Sequence, residues 1–186
     1  MNAPTATPVT AEELLRLSHP DKQIELVRGE VVVREPPAAW HGGISNRVAY
    51  RLTRFVDEHE LGAVFGQDTG FQIAADPDTV RAPDVAFVRA ERLADIPRGG
   101  YPRLAPDLVV EVLSPDDRPG EVLAKIGQWI EAGVRLVWVL DPEGGQARVH
   151  RPDGSLELLG AADEVDGEDV LPGFRCPVPD LLTPGW

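Results

Sequence analysis

The sequence predicts an α/β fold, a mixed β-sheet flanked by helices, and three observations lead there. Two long stretches, Trp40 to His59 and Arg118 to Ala132, carry apolar residues at helical spacing. Short strand-like runs precede, separate and follow them, the pattern of a sheet with helices packed on it. The length, 186 residues, fits one domain with one core, burying around two thirds of the surface that the unfolded chain exposes.

The elements follow in order. Met1 to Thr10 hold Pro, Thr and Ala with neither a basic start nor an apolar stretch, so no secretory signal is expected and residues 1–9 are expected to be flexible. Thr10-Ala11-Glu12-Glu13 has capping-box form and leads into Leu14, Leu15 and Leu17, a short first helix. Gln23 to Val27 and Glu30 to Val33 read as strands joined through Arg28-Gly29, where glycine supplies the positive φ of a tight hairpin. From Trp40 to His59, Ile44, Val48, Leu52, Phe55 and Val56 line one helical face. Strands follow at Ala63 to Phe65, Gly70 to Ile73, Asp84 to Val88 and Leu108 to Leu113. Arg118 to Ala132 is the second long helix, stopped by Gly133. Val134 to Leu140 is an apolar strand ended by Asp141-Pro142, and Gln146 to His150 with Ser155 to Leu159 form a closing hairpin around Pro152-Asp153-Gly154. The tail, with prolines at 172, 177, 179 and 184, reads as loop. No repeat is present.

No run is long enough to cross a bilayer, and the single cysteine, Cys176, rules out an internal disulfide and a cysteine-based zinc site. A cytoplasmic protein with no membrane partner is expected. The net charge of −13 argues against a general nucleic-acid binder, since affinity for phosphate backbones comes from Lys and Arg displacing counterions. A local basic surface softens that conflict.

Glu111 alone interrupts a run that is apolar on both faces of its strand, with Leu108, Val110 and Val112 on one side and Val109 and Leu113 on the other. A lone buried carboxylate costs several kcal/mol unless it is paired or metal-bound. Asp84 raises the same question just after Pro83. Two such acids on neighbouring strand ends can share a hard cation with oxygen ligands. Asp107 is a poorer companion, because residues four apart in a strand are separated by about 13 Å. The other reading has Asp84 capping its strand and Glu111 in a buried salt bridge to an arginine such as Arg81.

Only two of the 18 basic residues are lysines, Lys22 and Lys125. Lys125 borders the apolar face formed by Val122, Leu123, Ile126, Trp129 and Ile130, so its stem can lie on that face while its amine reaches the Glu111 strand. A solvent-facing pair with Glu121 is the alternative. Arg47, Arg51 and Arg54 form a stripe flanking the buried face of the first long helix. They are candidates for phosphate-backbone contacts or an ordinary solvated face.

Ile24-Glu25-Leu26-Val27-Arg28-Gly29-Glu30-Val31, His41-Gly42, Val80-Arg81-Ala82-Pro83-Asp84-Val85-Ala86-Phe87, Ala105-Pro106-Asp107-Leu108-Val109-Val110-Glu111-Val112-Leu113-Ser114-Pro115 and Gly133-Val134-Arg135-Leu136-Val137-Trp138-Val139-Leu140-Asp141-Pro142 resemble, in order, the Uma-two family of candidate restriction endonucleases. The resemblance implies a restriction-endonuclease-like fold and a PD-(D/E)xK site. In it Asp84 and Glu111 bind Mg²⁺ (or Mn²⁺) and a lysine helps activate water. Leu113 occupies the usual lysine position here, and the resemblance suggests that Lys125 supplies the amine from the following helix. Glu25 and His41 also match family positions, Glu25 as an orienting acid and His41 beside nucleic acid, against a hairpin surface acid and a helix-start histidine. The expected function is therefore a metal-dependent endonuclease acting on nucleic acid, with DNA the expected substrate. The metal would be held by Asp84, Glu111 and the Val112 carbonyl. A homodimer is expected, because two strand cuts suit two-fold symmetry. The alternative is a metal-binding or dimeric interaction module on the same fold that cuts nothing.

Overall fold

A computed structural model describes residues 7–17 and 22–186. In chain order the elements are α1 (Ala11–Leu14), β1 (Gln23–Val27), β2 (Glu30–Arg34), α2 (Ala39–Glu58), β3 (Gly62–Phe65), β4 (Phe71–Ala74), β5 (Thr79–Arg81) and β6 (Val85–Arg89). After a 3-10 turn at Ala90–Asp95 come β7 (Leu108–Val112), α3 (Pro119–Glu131), β8 (Leu136–Asp141), β9 (Gln146–His150), β10 (Leu156–Leu159), β11 (Glu164–Asp166), β12 (Arg175–Pro177) and α4 (Val178–Leu181).

The expected mixed sheet is six-stranded, in the order β10-β9-β8-β7-β6-β3, and β7 with β8 is its parallel pair. The chain must cross a sheet face to connect parallel strands, and α3 is that crossover. Side-chain alternation then divides the core. Leu108, Val110, Val112, Leu136, Trp138 and Leu140 meet Ile44, Val48, Leu52 and Val56 of α2 on one face. Val109, Val137 and Val139 meet Ile126 and Trp129 of α3 on the other.

The N-terminal hairpin does not join that sheet. It belongs to a second, four-stranded sheet of order β2-β1-β5-β4, covered by α1 through Ala11 and Leu14. Its turn has Arg28 at φ 50° and Gly29 at φ 78°, the two positive values that a two-residue hairpin loop requires. The capping box forms, with Thr10 Oγ1 accepting from Glu13 N–H and Glu13 accepting from Thr10 N–H. Leu15 and Leu17 are nonetheless exposed. The flexible start expected for 1–9 lies outside the described residues as far as residue 6. Val9 is tied down, its N–H donating to the Gly29 carbonyl at 2.8 Å.

Strand β5, which has only three residues, went unread in the sequence. It runs through Ala82 and Pro83 straight into β6, carrying the chain from one sheet to the other. Pro83 holds this corner extended, since it fixes its own φ and restricts Ala82.

The tail is not loop. Val165, Val170, Leu171, Phe174, Cys176, Val178, Leu181 and Leu182 are buried against α2 and the six-stranded sheet. Their spacing follows neither sheet nor helix period, so the pattern hid them, and Pro177 and Pro179 sit at a strand end and a helix start, where a missing N–H costs nothing.

Candidate active site

The corner between the two sheets opens into a cleft of about 880 Å³ whose lining includes Glu25, His41, Asp84, Glu111, Val112 and Lys125. Each reaches it from a different element. In the antiparallel β6–β7 register Val85 faces Val110 and Ala86 faces Val109, and one further step sets Asp84 opposite Glu111. The two acids singled out in the sequence are therefore cross-strand neighbours.

Glu111 is 8% exposed. Its two oxygens are held from one helix: Lys125 Nζ donates to Oε2 at 2.8 Å and Trp129 Nε1 to Oε1 at 2.8 Å. Residues four apart share a helical face, so both reach the same carboxylate. Burial pushes the Glu111 carboxyl up to about 7, Lys125 opposes that rise, and the nearby Asp84 charge adds to it. The buried salt bridge considered as an alternative does form, but with Lys125 in place of Arg81, which pairs with Glu25.

Lys125 is equally committed. Besides Glu111, its amine donates to the Ala82 carbonyl at 3.1 Å and lies 3.6 Å from Glu25 Oε1. Burial lowers its pKa, but Glu111, Glu25 and Asp84 outweigh that and hold it above the ordinary lysine value. Glu121 is paired with Arg118 instead, so the solvent-facing alternative for Lys125 does not form.

Glu25 is no hairpin surface acid. It is 3% exposed, on a strand that lies inside its sheet between β2 and β5. Arg81 Nη1 donates to its Oε2 at 2.7 Å and Ala82 N–H to its Oε1 at 2.9 Å. Burial raises its pKa, yet the Lys125 and Arg81 charges and the Ala82 bond bring it down to about 2. Arg81 also donates through Nε to Gln128 at 2.8 Å, which ties β5 to α3. Both polar groups of Ala82 thus serve the site, its N–H on Glu25 and its carbonyl on Lys125.

Asp84 accepts from Val112 N–H at 2.7 Å and from Gln67 Nε2 at 3.2 Å. Burial raises its pKa, but the His41 hydrogen bond and charge, with Lys125 beyond, hold it below the ordinary value. His41, expected among the nucleic-acid contacts, is turned inward at the start of α2. Its Nε2 donates to the Val112 carbonyl at 2.8 Å and lies 3.4 Å from Asp84 Oδ2, while Nδ1 meets the Gln67 amide at 3.2 Å. Burial lowers the His41 pKa and Asp84 more than reverses that. Asp107, set aside on distance, accepts from Arg89 N–H and from Arg92, a structural anchor at the far end of β7.

Arg47, Arg51 and Arg54 do not reach this cleft. They line a second one of about 520 Å³ with Phe174 and Arg175. Sequence reading missed Gln67, which lies in a loop with no periodic signal. It also missed Ser45, a polar residue on the buried face of α2 that accepts from Gln67 at 3.0 Å, and it placed Trp129 only in the apolar face.

The donor set suits a hard cation. Two carboxylates face each other, and the Val112 carbonyl keeps a lone pair beyond its His41 bond. Burial carries Glu111 to about 7 even with Lys125 and Trp129 bonded to its carboxylate. Among the described residues, no group of three or more His, Cys, Asp or Glu that could hold a metal ion is found.

No curated protein matches the chain. Among solved structures, it is similar to a putative nuclease belonging to DUF820 from Anabaena variabilis ATCC 29413. The TM-score is 0.80 at 21% identity, over 94% of this chain and 98% of that one, a likeness of fold. The family model described as "Putative restriction endonuclease" matches residues 11–179. Matched over nearly its whole length, the chain belongs to that family, Uma2.

Proposed function

We propose that the protein is a metal-dependent nuclease that hydrolyses phosphodiester bonds at the Asp84–Glu111 pair, with DNA as the expected substrate. The observation that carries this reading is the convergence of Asp84, Glu111 and the Lys125 amine at the open corner between two sheets. Mg²⁺ or Mn²⁺ held by Asp84, Glu111 and the Val112 carbonyl would supply Lewis acidity toward a phosphodiester.

The chain's own groups do the remaining work. Lys125, kept charged by three acids, offsets the negative charge that grows on the phosphate and orients a water for attack. His41 and Asp84 grip opposite polar groups of Val112, fixing its carbonyl. Glu25 and Arg81 hold Ala82, whose carbonyl in turn holds the amine, so Glu25 is a positioning residue here.

The test is incubation of purified protein with labelled single- and double-stranded DNA and RNA, with Mg²⁺ or Mn²⁺, beside Asp84→Ala and Lys125→Ala. Cleavage by the native chain that both substitutions abolish supports the reading. Cleavage that survives both refutes the site. Failure to cut any substrate favours a non-cleaving metal-binding module, the reading that the charge of −13 supports.

A further inference from the structure

Helix α2 presents a second chemistry on its outer side. Trp40, Gly43, Arg47, Tyr50, Arg51 and Arg54 succeed one another at steps of one, three or four residues, which puts them along one face. Trp40 and Tyr50 are 55% and 57% exposed. Trp186 is 80% exposed and meets Trp40 edge to face, with ring centroids 6.4 Å apart. Its ring lies directly over Gly43, where a Cβ would come within 2.4 Å of it. The other two tryptophans, Trp129 and Trp138, are fully buried. The exposed aromatic rings among the described residues are thus gathered on this face.

Cations are interleaved with them. Arg47, Arg51, Arg54 and Arg175 line the second cleft, and Glu58 is its one acidic lining residue. Arg51 is paired with Asp180 and Arg175 with Asp166, each at 2.6 Å. Arg47 and Arg54 form no ion pair among the described residues. They stand about 10 Å apart along the helix at 1.5 Å per residue. In a chain of net charge −13, a cleft lined by four arginines and one acid is a local excess of positive charge, which favours the approach of a polyanion.

We propose that this face is a track for an unpaired nucleic-acid strand, with phosphates on Arg47 and Arg54 and bases against Tyr50, Trp40 and Trp186. The proposal rests on the nuclease reading and narrows its substrate to a strand with unpaired bases. Arginines alone would suit any phosphate backbone. Exposed rings set among them select for bases whose faces are free, and a duplex hides those faces by stacking. The track also leads to the chemistry, because Trp40 is followed by His41, whose ring holds Val112 in the carboxylate cleft. A single strand needs one cut, so such a substrate makes no demand for the two-fold pair of chains expected from duplex cleavage.

Fluorescence anisotropy of short labelled oligonucleotides, single-stranded and duplex of the same sequence, tests this in EDTA, where binding is read apart from cutting. The native chain is expected to bind the single strand more tightly. Tyr50→Ala is expected to weaken it about five-fold or more while Tyr50→Phe retains it. Arg47→Ala and Arg54→Ala each lower the slope of log affinity against log salt by about 0.7, one phosphate contact on a single strand. These side chains carry little of the core, and a melting curve for each variant confirms that it is folded. Equal or tighter duplex binding, or variants that bind the strand as the native chain does, overturns the track. If cleavage with Mg²⁺ or Mn²⁺ then persists, the nuclease reading stands without it. Strand binding that depends on Arg47 and Tyr50 in a protein that cuts nothing upholds the track and removes the nuclease reading alone.

Discussion

Lys125 and Trp129 stand one turn apart on α3 and donate, each at 2.8 Å, to different oxygens of one carboxylate, that of Glu111. The helix therefore holds Glu111 as a clamp holds a rod, one jaw charged and the other neutral. Their substitutions should differ in kind. Trp129→Phe keeps most of the buried ring but removes the N–H, leaving one buried oxygen unsatisfied at a cost of about 1 to 3 kcal/mol, with the amine still present. Lys125→Ala is expected to abolish cleavage outright. Urea unfolding beside a cleavage assay checks the split, and a Trp129→Phe protein as inactive as Lys125→Ala would contradict it.

Glu111 makes metal-free stability fall with rising pH. Its folded pKa, about 7, lies above the ordinary glutamate value of about 4.5, so the folded state holds the proton that the unfolded state has lost. That contribution is complete below about 4.5 and disappears as pH climbs through about 7, and it amounts to at most about 3 kcal/mol. Thermal melting in EDTA from about pH 5 to pH 8 should show the native chain losing stability and Glu111→Gln losing less. His41, also raised, adds a loss of the same sign to both proteins, so the difference between them isolates Glu111.

Glu25 imposes the opposite slope at the acid end. Its folded pKa of about 2 means that its contribution is present above about 4.5 and is lost as pH falls through about 2. Removing its partner should be severe. Arg81→Met leaves a buried carboxylate short of one cation and is expected to cost about 3 to 5 kcal/mol, whereas the double variant Glu25→Gln, Arg81→Met costs less than the sum of the two single changes. A double-mutant cycle by urea unfolding measures this coupling.

Added Mg²⁺ is expected to raise the melting temperature at pH 8, where Glu111 is ionised, and to do so much less at pH 5.5, where the ion must displace a proton. Asp84→Asn should remove the shift at both values. A shift of equal size in Asp84→Asn would place the ion elsewhere.

The fold was largely legible because its main signals are periodic. The apolar face of α2 at Ile44, Val48, Leu52 and Val56 and the double-sided runs of β7 and β8 follow from spacing alone. So did Glu111, since a charge in such a run is visible as an interruption. The partners of Glu25 were not legible. The β1–β5 pairing that sets Glu25 beside Arg81 joins strands more than fifty positions apart, and β5 is too short to show alternation. The tail was lost for a related reason: its buried residues fill gaps over α2 one at a time, and prolines mark turns as readily as they mark strand ends. Gln67 left no trace at all, because a loop glutamine acquires meaning only from the His41, Ser45 and Asp84 that surround it.

The amine on α3 has a further consequence during synthesis. Glu25 and Lys125 meet at 3.6 Å across a hundred positions of chain, and the carboxylates at 25, 84 and 111 all leave the ribosome before the lysine does. Until the crossover helix has emerged and docked on β8, the acids have neither their ammonium nor the indole of Trp129. The proposed site is therefore completed late, together with the long-range contacts that complete the sheet.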